Sequence, residues 1–246
     1  APALPRGGWL DPRQPRRGFP RRARALGAEY RHDEVVGIER AGGRVTAVTL
    51  KQGGRVACGA VVNSSGLFGH ETAALLGIDL PVRPKKRCVF VLDVREPLPN
   101  CPLVIDMTGA YVRPEGNFFV CGIQPDPAND PDTRDIEVDH ALFQETLWPI
   151  LAHRIPALEA VKVVNSWAGH YDYNLFDQNA ILGPHPEIAN FHFANGFSGH
   201  GLQQSPAVGR ALAELITEGR YVTLDLSRFG FERIAGNQPI IEENVV

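Results

Sequence analysis

The sequence predicts an α/β chain with an α+β middle section, on three observations. From Gly27, short runs of β-branched residues alternate with glycine turns. Residues 81–165 read as a sheet with one amphipathic helix laid on it. A strand, a glycine loop and a helix follow one another near the end.

The elements follow in order. Glu34-Val35-Val36-Gly37-Ile38 and the run 45–50 flank Gly42-Gly43, the pattern of a hairpin. Residues 51–54 offer a second turn, and 55–62 a third strand that ends at Asn63-Ser64-Ser65-Gly66. A short helix is expected near 71–76, closed by Gly77. In the middle, 88–94, 110–113 and 117–123 read as strands, and 124–135 as a loop rich in Pro and Asp. Phe143, Leu147 and Leu151 recur at i, i+4, i+8 and predict a helix over about 138–153. Pro149 should kink or restart it after Trp148, and Asp139-His140 falls at its start. Strands are expected at 161–167, 179–182 and 191–194. For the last helix, Ser205 reads as the N-cap and Pro206 as the first residue. Val208, Leu212, Leu215 and Ile216 form its apolar stripe, and Gly219 closes it.

At 246 residues and 43% hydrophobic, the chain can bury a sizeable core. A formal charge of −3 gives no field that would recruit nucleic acid or a membrane surface. No apolar stretch approaches a membrane span. Cys58, Cys88, Cys101 and Cys121 lack metal or CxxC spacing and sit beside apolar runs, so free thiols in a reducing compartment are expected. The start, 1–26, is rich in Pro and Arg without the apolar core of a signal peptide. With Pro15 and Pro20 it reads as an irregular basic arm. No His/Asp/Glu spacing makes a metal site.

The glycine loop is where the chemistry concentrates. Gly196, Gly199 and Gly201 stand just before a helix N-terminus, where backbone N–H groups and the helix dipole favour negative charge. Such a cradle suits a phosphate, or a flavin edge that gains charge on reduction. The other reading is a tight turn whose glycines only allow close packing. Spacing alone leaves both open.

Phe191-His192-Phe193-Ala194-Asn195-Gly196-Phe197-Ser198-Gly199-His200-Gly201 resembles the C-terminal flavin-binding signature of the D-amino-acid oxidase and sarcosine oxidase superfamily. Ala60-Val61-Val62-Asn63-Ser64-Ser65-Gly66 resembles its strand-to-glycine segment near the cofactor. Ser166-Trp167-Ala168-Gly169, with 177–186, resembles the strand pair on the flavin's other flank. The run 34–38 resembles the strand whose backbone meets the adenine. Trp167 to Asn174, Phe176 to Asn179, Gly199-His200-Gly201-Leu202-Gln203-Gln204, Val138-Asp139-His140 and the closing Glu243-Asn244-Val245-Val246 narrow the likeness to one branch, the FAD-dependent oxidoreductase domain-containing proteins.

The resemblance implies the C-terminal part of a D-amino-acid-oxidase-type FAD-binding fold with an inserted mixed or antiparallel substrate sheet. FAD-binding segments are then expected at 27–80 and 166–220, the substrate domain at 81–165, and a tail at 221–246. The superfamily's first βαβ unit, with Gly-x-Gly-x-x-Gly, has no counterpart before Gly27. The chain therefore reads as a fragment of a longer protein, or the product of a damaged gene, and alone should hold FAD poorly. By the resemblance, Val35, Ser65, Gly66, Trp167, Gly169, Gly196, Phe197, Ser198, Gly199, His200, Gly201, Leu202 and Gln203 contact FAD. His170, Tyr171 and Tyr173, which flank Asp172, are candidates to line the substrate pocket, or else form a surface strand edge with aromatic cross-strand pairing. Arg113 is a candidate carboxylate anchor, or else a solvated arginine beside a turn.

Three departures qualify this. No cysteine lies near 167–173 to tether the flavin, so FAD should be non-covalent. The oxygen-activating lysine of sarcosine oxidases falls near Val120, which favours a dehydrogenase. Their carboxylate-gripping lysine falls at Gln203, which puts a glycine-derived substrate in doubt. Three functions compete: an enzyme taking hydride from an amine or amino-acid C–H, an assembly factor for respiratory complex I, and an inactive fragment. The first expects a small amine or amino-acid substrate and a separate electron acceptor; the second, a respiratory-complex protein as partner. A bacterial-type cytoplasmic location is expected, with the mitochondrial matrix as the alternative.

Overall fold

The computed structural model describes residues 13–240. The basic segment is a helix, α1 (Arg13–Ala25), rather than an irregular arm. Arginine is a good helix former, Pro15 lies in the first turn where its missing N–H costs nothing, and only Pro20 removes an interior bond. The helix buries no side chain. The first twelve residues of the basic segment and the closing residues 243–246 lie outside the described residues.

The predicted hairpin is present as β1 (Val35–Ala41) and β2 (Arg44–Leu50). Gly42 and Gly43 both take positive φ, 56° and 73°, as a tight two-residue hairpin requires. The expected third strand divides: β3 (Gly54–Ala57) pairs with β2, while β4 (Val61–Asn63) joins another sheet. The buried Asn190 side chain ties the hairpin to that second sheet. It accepts from the Val45 amide and donates to the Val45 and Gly59 carbonyls, each at 2.8 Å. A turn of 3-10 helix (Gly66–Phe68) and α2 (Gly69–Ala74) follow β4.

The largest sheet is antiparallel, in the order β6-β7-β8-β5-β9. Its strands are β5 (Val82–Val94), β6 (Val104–Ile105), β7 (Tyr111–Glu115), β8 (Phe118–Gly122) and β9 (Val161–Asn174). β9 runs seven residues beyond the expected end at Trp167 and pairs with β5 along nearly its whole length. One face is covered by the expected helix, which has two parts. Residues 142–147 form π-helical turns, and α3 (Trp148–Arg154) restarts the regular helix with Pro149 at its second position. The wider turn accommodates a residue that has no N–H to continue the ladder. Asp139 Oδ1 accepts the Leu142 amide at 3.1 Å and so begins the helix. Phe143, Leu147 and Leu151 pack on Phe90, Leu92, Val112 and Cys121, and the Phe90 and Phe143 rings lie 5.0 Å apart.

The third sheet is β10-β11-β4, with β10 (Ile181–His185) antiparallel and β4 parallel to β11 (Ile188–Asn195). Phe191 and Phe193 are fully buried against Ile181, Leu80 and Val82, each contributing about 2–3 kcal/mol. α4 (Gly201–Glu218) lays Val208, Ala211 and Leu212 on Leu182 and closes at Gly219 in the left-handed region. The helix starts four residues before Ser205, so Ser205 is not its N-cap. Pro206 leaves the Leu202 carbonyl without its usual donor, and the Ser205 hydroxyl donates to it at 2.8 Å. Residues 221–240, expected as a tail, are anchored. Arg233 is buried against Asp177 (2.8 and 3.0 Å), and Phe231 stacks on Phe193. No helix among the described residues is long and apolar enough to cross a membrane.

Candidate active site

Strand register places one row of residues across the exposed face of the large sheet. Tyr111 is opposite Gly122, Gly122 opposite Val89, and Val89 opposite Trp167. Opposed residues share a face, so all four turn away from the helix. A Cβ on Gly122 would come within 2.9 Å of the Tyr111 ring, so its missing side chain lets that ring lie down on the sheet. One step along, Arg87 is opposite Gly169, and Lys85 opposite Tyr171. The rows enclose a cavity of about 180 Å³ between Arg87, Tyr111, Gln124, Trp167 and Tyr171.

Arg87 is the charged group of that wall and is only 6% exposed. Its Nη1 and Nη2 hold Asp130 bidentately at 2.9 and 3.0 Å, and Nη1 also donates to the Lys86 carbonyl at 2.7 Å. Its guanidinium carbon lies 5.4 and 5.5 Å from the centroids of the Tyr171 and Tyr173 rings. Nε is buried and has no hydrogen-bond partner. The neighbouring rungs reach the same acidic loop: Lys85 to Asp132 at 3.0 Å and Lys86 to Asp135 at 2.6 Å. Lys85 also donates to the Asp130 carbonyl. Burial pushes the Tyr171 hydroxyl above its ordinary pKa, against the pull of Arg87, and it pushes Tyr111 up as well.

The glycine loop abuts this cavity through Tyr171. Gly199 has φ +100°, and a Cβ there would lie 2.4 Å from the Tyr171 ring. Asp172, the next residue of β9, accepts the Gly196 and Phe197 amides on Oδ2 at 2.8 and 3.2 Å. Its backbone oxygen accepts the Ser198 amide at 3.2 Å. Burial raises the Asp172 pKa, opposed by those amide bonds. Ser198, at φ 50°, is locked by its hydroxyl, which donates to the Gly196 carbonyl and accepts the Asn174 amide. Gly196 and Gly199 therefore serve close packing, and the Gly196 and Phe197 amides are already engaged. The amides left for an anion are those of Gly201, Leu202 and Gln203, which by position lack intrahelical partners at the start of an 18-residue helix.

A groove runs beside that helix, lined by Val62, Ser64, Gly66, Ala194, Phe197 and Gly209. A Cβ at Gly66 or Gly209 would meet nothing within 4 Å, so both strand turn and helix leave open backbone. Asp172 also lines the groove, with its Oδ2 engaged by the Gly196 and Phe197 amides. Apolar walls, open glycines and helix-terminal amides fit a flat ring system such as a flavin.

Predicted site residues separate accordingly. Trp167, Gly169 and Tyr171 line the cavity, and His170 borders it with Nε2 at 2.9 Å from the Asp135 carbonyl oxygen. Gly66, Phe197 and Gly201 line the groove, Ser65 lies between two groove residues, and His200 precedes the helix. Leu202 is half exposed and Gln203 exposed in the first turn. Arg113 is paired with Glu115 and is not among the residues that line the cavity, which matches the solvated-arginine alternative better than the carboxylate anchor. Val35 opens an edge strand of the small sheet, paired with Leu50, and is not in the groove. Arg87, Tyr111, Asp130 and Asp172 were not singled out from the sequence. Their one signal is Lys85-Lys86-Arg87 inside an otherwise apolar strand, a break in pattern of the kind that marks a site.

The family model for DAO, FAD dependent oxidoreductase, matches residues 3–215. The chain belongs to the FAD-dependent oxidoreductase family. FAD-dependent oxidoreductase domain-containing protein 1 of Xenopus laevis is 42% identical over 271 residues, covering 97% of this chain and 54% of that protein. Glycine oxidase of Geobacillus kaustophilus is 32% identical over 211 residues, covering 84% and 52%. The crystal structure of L-proline dehydrogenase from P. horikoshii superposes with a TM-score of 0.81 at 26% identity, covering 94% and 61%. The chain thus spans about half the length of the curated relatives it matches. Its fold is that of the family's D-amino-acid-oxidase-type flavoenzymes, as expected.

Proposed function

We propose that this chain provides the substrate sheet and the flavin-facing helix terminus of a dehydrogenase that acts on the C–H beside an amine nitrogen. The observation that carries the reading is Tyr171, whose ring forms a wall of the cavity and also packs on Gly199 of the glycine loop. A donor seated in the cavity would therefore adjoin the groove. Bound non-covalently there, FAD would supply the hydride acceptor. The chain's own part is positional. Tyr111, Trp167 and Tyr171 give an aromatic seat for an amine or amino acid and exclude water, and the first amides of α4 face developing negative charge.

A dehydrogenase suits the charge distribution better than an oxidase. The cations beside the cavity, Lys85, Lys86 and Arg87, are all committed to aspartates. Val120, where an oxidase lysine is expected, is buried in the sheet. Electrons would then pass to an acceptor other than oxygen. The test is visible absorbance after incubation with FAD and desalting, followed by anaerobic addition of secondary amines and amino acids. Partial flavin retention, as expected of a chain without the Gly-x-Gly-x-x-Gly unit, and bleaching of the bound fraction by these donors are the expected result. A bound flavin that no donor reduces removes the proposal.

A further inference from the structure

We propose that α1 is an interfacial helix that lays its apolar side into the surface of an anionic lipid bilayer, with its arginines among the lipid phosphates. The formal charge of −3 is unevenly placed, since residues 13–28 hold six arginines and no acid. The first acid after them, Glu29, is already paired with Arg31 at 2.7 Å. Among the described residues, no carboxylate pairs with Arg16, Arg17, Arg21, Arg22 or Arg24. Arg24 lies over the Tyr30 ring instead, 4.7 Å from its centroid. Like charges one turn apart repel, and a 13-residue helix that buries no side chain is marginal in water. An anionic surface that also takes up apolar side chains relieves both.

The two sides of the helix differ. Arg13, Arg16, Arg17, Arg21 and Arg24 recur at i, i+3, i+4, i+8 and i+11 and share one face. Phe19 and Leu26, seven residues apart, stand on the other and are 58% and 71% exposed. Leu26 continues the helical turn, because its amide donates to the Arg22 carbonyl at 3.1 Å. A strongly charged face opposite a few apolar residues is the pattern of a helix that lies in a membrane interface. Duplex nucleic acid takes such a helix by charge alone and has no use for apolar side chains turned away from its phosphates. A bilayer uses both: Phe19 and Leu26 enter the acyl boundary, while the long stems of the arginines reach the headgroups. α1 lines neither the cavity nor the groove, so its attachment is independent of the amine-dehydrogenase reading.

The experiment is co-sedimentation of the chain with vesicles of phosphatidylcholine alone and of phosphatidylcholine mixed with phosphatidylglycerol. Binding to the mixed vesicles should be about tenfold tighter or more and should weaken as salt is raised. The quadruple variant Arg16→Ser, Arg17→Ser, Arg21→Ser and Arg24→Ser should weaken it about a hundredfold, whereas lysine at the same four positions should keep most of it. Phe19→Ser should weaken it about tenfold. None of these side chains is buried, so the melting temperature should not move in any variant. Equal binding to both kinds of vesicle, no binding to either, or binding that the serine variants leave unchanged would overturn the inference. A DNA duplex that binds more tightly than the mixed vesicles at the same ionic strength would also overturn it and assign the arginines to nucleic acid.

Discussion

The large sheet and the β4–β10–β11 sheet with α4 present their polar groups in opposite ways. The first is built from side chains: an arginine gripped by an aspartate, two lysines on the same loop, and three aromatic rings. The second is built from backbone, with glycines that open space and amides at a helix start. The lining of the first is drawn from residues 87 to 171, whereas that of the second lies within 62–66 and 194–212 apart from Asp172 of β9. Where a site is backbone, its local sequence must carry it, because only certain residues allow the conformation. Where it is side chain, register can assemble it from distant segments, and no short motif announces it.

Substitutions can separate the two regions. The largest effect is expected from Arg233→Ala. Arg233 and Asp177 are 5% and 1% exposed, and Asp177 also accepts the Asn179 and Ile240 amides. Breaking a buried pair from one side costs about 3–5 kcal/mol, read as a lower urea midpoint. Amide exchange should quicken in β10 and β11 before it does in β5 and β9; equal loss in both sheets would mean that the regions unfold as one unit. The same pair sets an acid dependence. Burial pushes the Asp177 pKa up, but the bonds from Arg233 and the Ile240 and Asn179 amides outweigh it and hold it below the ordinary value. Its stabilisation is therefore present above the unfolded pKa of about 3.9 and is lost as pH falls through the lower folded value. The variant should lose less stability than wild type across that interval.

Gly199→Ala comes next. At φ +100°, with a Cβ 2.4 Å from the Tyr171 ring, it should cost about 1–3 kcal/mol from backbone strain alone, with the clash in addition. Because Tyr171 joins groove and cavity, flavin retention and ligand binding should fall together; loss of only one would show that Tyr171 does not couple them. Ser205→Ala should cost about 1 kcal/mol, the value of the hydrogen bond that covers the Leu202 carbonyl, measured by thermal melting. Lys86→Ala should not change stability measurably, because its pair with Asp135 is partly solvated. A clear loss there would mean that the ladder acts as a network.

The backbone-made region was legible to the extent that it is local. The hairpin at Gly42-Gly43, the strand into Gly196 and the helix closing at Gly219 all stand where the residue pattern placed them. The helix start was misplaced by five residues, with His200 rather than Ser205 as the N-cap, because Ser205-Pro206 has the chemistry of a cap and instead repairs the first turn. β9 was ended early because Gly169 and the polar residues after it lack a strand's apolar alternation, yet pairing with β5 carries them to Asn174. Asp172 is not marked by its own neighbourhood, since nothing there shows that a loop 24 residues later hangs on it.

By itself the sequence determined an α/β chain with an FAD-family glycine loop before a helix, because φ above zero and close backbone approach demand glycine. Only the tertiary structure decided that Gly196 and Gly199 serve packing, that Arg113 is outside the cavity, and that Arg87 is inside it. Those outcomes depend on which strand lies opposite which. In an antiparallel sheet, a shift of one residue turns every side chain to the other face, and the register is set by the whole core.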